Sequence, residues 1–245
     1  MMRRLLPSFV LGLTLLVGLI WILATPELPA AAPPAQETGP RTNNATADET
    51  CLGCHGAPGQ VLKLEDGTDL ELWVDPAQHA SSIHVKEGLA CVDCHTTLGE
   101  YPHPPFAAAD RSDVTLRLNS ICQSCHTGET EKSQSSVHAR AQSAGQRAAA
   151  TCTDCHTAHA VQAWVDTATG KTLPSMRPLI PQTCAQCHNT IYQQYAGSVH
   201  GSALLSQNNL DVPTCIDCHG VHDIGDPTTN QFRLASPQMC SRCHS

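Results

Sequence analysis

The chain has 245 residues, of which 41% are apolar, 4% aromatic and 15% charged, and it carries 14 Cys and 14 His. Core-filling aromatic side chains are scarce and metal-ligating side chains abundant, so something other than protein must fill the interior. The formal charge of -8, from 22 acidic against 14 basic residues, leaves no electrostatic footprint for a phosphate backbone and excludes nucleic-acid binding.

At the amino terminus, Met1-Met-Arg3-Arg4 precedes an apolar run from Leu5 to Ala24, which reads as an export signal or a membrane anchor forming an N-terminal hydrophobic helix. A cleaved signal has an apolar region of about 7 to 15 residues and a spanning helix needs about 20. The run sits between those limits. Ala30-Ala31-Ala32 offers a small-residue cleavage pattern, but Pro33 directly after it hinders the peptidase and favours retention. The two arginines orient the bulk of the chain to the outside. Residues 25–50 carry Pro26, Pro29, Pro33, Pro34 and Pro40 without apolar periodicity, the composition of a linker.

From residue 51 onward every cysteine falls in a Cys-x-x-Cys pair followed by His: Cys51/Cys54/His55, Cys91/Cys94/His95, Cys122/Cys125/His126, Cys152/Cys155/His156, Cys184/Cys187/His188, Cys215/Cys218/His219 and Cys240/Cys243/His244. In one helical turn the first Cys and the His share a face with the second Cys beside them. Two thioether bonds and one axial bond can therefore reach a single haem. Structural zinc and disulfides also use paired cysteines, but neither requires His at the fifth position. Seven accidental hits would have a probability on the order of one in a billion, so the motif reads as seven covalently bound haems c. That leaves too few residues per macrocycle for each to own a protein pocket. The expected fold class is mostly coil with short α-helices around a packed chain of c-type haems.

Between the first two motifs, Val61 to Val74 alternates apolar and polar residues around Asp66-Gly67, a β-hairpin signal, read as a cap on the first haem.

The motifs alternate in kind. Those opened by Cys91, Cys152 and Cys215 carry Asp93, Asp154 and Asp217 before the second Cys; those opened by Cys122, Cys184 and Cys240 do not. The haem domain, 51–245, therefore reads as a first haem site at 51–80 followed by three haem pairs at 81–130, 131–192 and 193–245. The spare histidines follow the same repeat. Ser-x-His precedes each Asp-containing motif at His84, His138 and His200, and a further His follows each at His103, His159 and His222. His159 and His222 lie too close to their own motif His to reach the opposite face of that haem, so each must serve a neighbour. His79 remains for the first haem. Seven spare histidines for seven irons predict six-coordinate His/His ligation.

These residues, as in Ser198-Val-His200 to Cys215-Ile-Asp-Cys218-His219-Gly-Val-His222, resemble exported multihaem cytochromes c with paired-haem repeats. The resemblance implies low-spin, low-potential haems carrying electrons in respiratory or extracellular chains, on the periplasmic or extracellular side. The single anchor and linker resemble membrane-bound quinol-oxidising tetrahaem proteins, from which seven motifs depart. A haem with two protein ligands has no open position, so the expected function is electron relay between redox protein partners, such as a quinol-oxidising membrane subunit or a terminal reductase. Two other readings stay open: a reductase or oxidase of a small nitrogen or sulfur compound at one open haem, and a homo-oligomeric cytochrome filament.

Overall fold

The computed structural model describes residues 44–244; the hydrophobic run at 1–24 and the linker up to residue 43 lie outside the described residues. The first helix, α1 (Asn44–His55), starts inside the stretch read as linker and runs through the first motif. It is followed by β1 (Val61–Lys63) and β2 (Asp69–Glu71), then α2 (Pro76–Ser81), α3 (Ile83–Lys86), α4 (Cys91–Cys94) and α5 (Arg111–Cys125). The remainder is α6 (Thr127–Ser133), α7 (Val137–Ser143), α8 (Cys152–His156), a 3-10 turn at Pro174–Met176, α9 (Leu179–Ala185), α10 (Asn189–Ala196), α11 (Val199–Leu205), α12 (Cys215–His219) and α13 (Asn230–Cys240). Helix takes a larger share than the expected mostly coil chain, because the motifs and the spare-histidine segments each close a helical turn. No helix of the described residues is long and apolar enough to cross a membrane.

The hairpin forms where alternation and Asp-Gly placed it. Its antiparallel register pairs Leu62 with Leu70, and Gly67 takes φ +85°, a conformation that costs glycine little. Asp66 Oδ1 accepts from the Thr68 backbone N–H and hydroxyl, closing the turn. One face of the hairpin, through Leu62, Leu64 and Leu70, packs on Ala108 and on Val114 and Leu118 of α5. Few other apolar side chains are buried: Ala90, Ile180, Pro181 and Leu204 complete the set among the described residues. Protein atoms alone therefore make small local clusters and no continuous core.

Helix packing repeats three times. The helix bearing an Asp-free motif packs on the next Asp-containing motif helix: α1 on α4, α5 on α8, and α9 on α12. This packing frame is offset by one motif from the sequence repeat, which begins at the second. In the first two copies a side chain three residues ahead of one motif caps the next: the Cys91 N–H donates to Asp48 Oδ1 at 2.7 Å and the Cys152 N–H to Asn119 Oδ1 at 3.1 Å. The equivalent third position is the buried Pro181, which has no acceptor. There Arg177 ties the units instead, donating to the Val212 carbonyl at 2.7 Å and to Asp217 at 3.1 Å.

Candidate functional site

Each motif is a short helical turn whose ends are fixed by its own residues. Asp154 Oδ2 accepts from the Thr151 N–H at 2.6 Å and from its hydroxyl at 2.7 Å, and Asp217 repeats both contacts with Thr214. Asp93 accepts from the Ala90 N–H at 2.8 Å. The aspartate that marks alternate motifs is thus a capping residue that holds the helix start, where unpaired N–H groups need an acceptor.

The serine of each Ser-x-His stands at a helix start, and in two of the three its hydroxyl caps it. Ser82, Ser136 and Ser198 are the N-cap residues of α3, α7 and α11, which puts His84, His138 and His200 at the second helical position. Ser136 Oγ accepts from the N–H groups of His138 and Ala139, and Ser198 Oγ from that of Gly201.

The tertiary structure brings six of the seven motif histidines face to face with a spare histidine. Ring centres are 6.2 Å apart for His55 and His103, 6.1 Å for His95 and His159, and 5.9 Å for His126 and His84. They are 6.1 Å apart for His156 and His222, 6.1 Å for His188 and His138, and 5.9 Å for His244 and His200. Two imidazoles bound end-on to opposite faces of one metal ion, with bonds of about 2 Å, hold their ring centres about 6 Å apart. The six separations fit that arrangement, and the two free motif thiols of each site are those that could anchor a haem c covalently.

Two imidazole placements depart from the sequence reading. His103, and not His79, stands opposite His55. His79 is buried in α2 instead, with its ligand atom within 4.8 Å of those of Asp48 and Cys91. His219 faces no histidine among the described residues; the Phe232 ring lies 5.1 Å from it at an interplanar angle of 16°. The equal counts of motif and spare histidines concealed both facts, since counting cannot say which ring reaches which.

Hydrogen bonding and burial prepare the rings as ligands. His55 Nδ1–H donates to the Leu72 carbonyl at 3.0 Å and His103 Nδ1–H to the Glu100 carbonyl at 2.7 Å, which leaves Nε2 of each with its lone pair free. Leu72 follows β2, so the hairpin positions the first motif's imidazole. Burial pushes His95, His138, His156 and His159 below the ordinary histidine range, favouring the neutral form that binds a metal.

The motifs touch one another in chain order. The thiols of Cys51, Cys122 and Cys184 lie near enough to those of Cys91, Cys152 and Cys215, respectively, to shift their ionisation. Cys94 lies beside Cys122 and Cys125, Cys155 beside Cys184 and Cys187, and Cys218 beside Cys240 and Cys243. Successive motifs thus meet through two alternating contacts, first cysteine to first cysteine and then second cysteine to both of the next pair. No four thiols converge among the described residues, as a zinc ribbon would need.

Cys54 is exposed near the end of α1, as Cys125, Cys187, Cys218 and Cys243 are in their own motifs. Its counterparts Cys125, Cys187 and Cys243 each meet the second cysteine of the motif before them. The Cys54 carbonyl accepts from Gln60 Nε2 at 3.0 Å. Cys54 still lies one helical turn from Cys51 and next to His55, which keeps the local geometry of a covalent anchor.

Residues 77–157 match the family model of cytochrome c7 and related cytochrome c, and residues 167–245 that of cytochrome c3. The first motif lies ahead of both matches. The multiheme cytochrome MtrA of Shewanella baltica (strain OS185) is 24% identical over 208 residues, covering 80% of this chain and 52% of that protein. The chain spans about half the length of the curated relative it matches. No solved structure matches.

Proposed function

We propose that this chain, a multihaem c-type cytochrome that transfers electrons through haem c, carries seven such groups in chain order and relays electrons between redox proteins on the exported side of the membrane. The observation that carries the reading is the set of six imidazole pairs at 5.9–6.2 Å. A bound haem supplies a one-electron couple; with both axial positions held by histidine it exchanges electrons with no bond to a substrate. The protein holds the rings in place, favours the neutral form of His95, His138, His156 and His159 through burial, and sets neighbouring motifs side by side. The acidic surface, at a formal charge of -8, favours partners with basic patches. A quinol-oxidising membrane subunit or a terminal reductase fits as the partner, with the N-terminal run as export signal or anchor.

Denaturing mass spectrometry with a pyridine haemochrome assay tests the count. Seven haems per chain is the expected result; fewer than six in fully matured protein overturns it.

A further inference from the structure

The paired-ring pattern follows a rule that breaks at one place. From the fourth motif on, the histidine after each Asp-containing motif faces the Asp-containing motif before it, His159 to His95 and His222 to His156; His103, after the first Asp-containing motif, faces His55 of the motif ahead of it. By that rule the sixth motif, His219, takes its partner from a further unit of the same kind.

A second, independent contact repeats with it. Two residues beyond His159, the Val161 carbonyl accepts from the Ile83 N–H at 2.8 Å; two residues beyond His222, the Ile224 carbonyl accepts from the Val137 N–H at 2.9 Å. Ile83 and Val137 are the central residues of their Ser-x-His segments and are partly covered. Val199, the central residue of the third such segment, is 86% exposed, and its N–H has no backbone partner among the described residues.

Both gaps sit in the third copy and would be filled by one segment of the form His-x-aliphatic. Residues 1–245 have no histidine left to supply it. Residues 1–43 contain none, His79 is 9% exposed in α2, and every other spare histidine already faces a motif ring. Phe232, beside His219, offers no electron pair.

We propose that the surface formed by His219 and Val199 is a docking site for a His-x-aliphatic segment of a partner multihaem c-type cytochrome, whose imidazole completes the sixth pair and whose backbone joins Val199. The inference rests on the haem reading above. The partner is thereby coupled to this chain through a shared ligand set, next to the seventh motif, since Cys218 adjoins Cys240 and Cys243.

The test uses the full chain after its haem count is established by mass, so that failure of the haem reading is seen separately. In the purified ferric protein, electron paramagnetic resonance should show one high-spin haem and six low-spin. Free imidazole should convert the high-spin haem. A peptide copying residues 220–225, Gly-Val-His-Asp-Ile-Gly, should convert it at a concentration lower by about tenfold, the effect of roughly one good additional contact set. The peptide carrying His222→Ala should not convert it. Val199→Asp should abolish the peptide's advantage and leave free imidazole binding unchanged. Seven low-spin haems in the dilute purified chain overturn the proposal. So does a high-spin haem that binds carbon monoxide or nitrite but takes the peptide no better than free imidazole, which would make it an open site for small molecules.

Discussion

His79 and His103 are the residues on which ligand assignment turns. His103 presents its ring to His55 with its Nδ1–H tied to the Glu100 carbonyl, whereas His79 lies with Asp48 and Cys91 and faces no motif ring. His103→Ala should therefore create one haem that binds carbon monoxide in the reduced protein, while His79→Ala adds none; a carbon monoxide titration read optically separates the two. Gly201 is a second such residue. A Cβ at this position would overlap the Tyr195 carbonyl, because α11 crosses α10 at closest approach there. Gly201→Ala should cost about 3 kcal/mol or more, the range of overpacked buried sites, measured as a shift of the guanidinium midpoint.

Among the elements, the motif turns are too short to be stable by helix propensity and depend on their caps. Asp154 takes both the N–H and the hydroxyl of Thr151, so Asp154→Ala should destabilise the fold by about 1–2 kcal/mol. Asp154→Asn retains an acceptor oxygen and should recover most of the loss in the same denaturant titration. Ser136, 4% exposed, accepts two N–H groups at the start of α7. Ser136→Ala should cost about 1 kcal/mol and broaden the low-spin signal of the haem that His138 serves, seen by electron paramagnetic resonance. The hairpin is an element of another kind: it packs on α5 through leucines and holds His55 through the Leu72 carbonyl, so it is support for a ligand as well as a local core.

At the scale of the whole molecule, so few buried apolar residues cannot hold the described chain together by area alone, and partly exposed links such as the two-pronged Arg147–Asp110 pair at 2.8 and 2.9 Å add little. Removing the covalent groups should therefore unfold the chain as a unit. Chain expressed without haem attachment is expected to lose its cooperative thermal transition, checked by calorimetry. The hydrophobic run at 1–24 belongs to this scale too. If it is retained as an anchor, native protein stays with membranes through high-salt and carbonate washes, and its peptide map begins before Thr25.

Much of this was legible in one dimension. Haem attachment, the alternation of two motif kinds, the Ser-x-His segments and the Asp66-Gly67 turn all depend on residues within a few positions of one another, where spacing alone dictates which groups share a helical face or a turn. The pairing of imidazoles was not legible, because ligand and motif are joined only through the fold. His159 and His95 are separated by a whole repeat, and nothing local distinguishes His103 from His79 as partner of His55. Which cysteines and histidines stand in attachment motifs follows from spacing; which ring faces which, and that His219 faces no histidine among the described residues, follows from the packed chain. A covalent anchor is a local property of five residues, whereas an axial pair is a meeting of two segments, and meetings are set by packing.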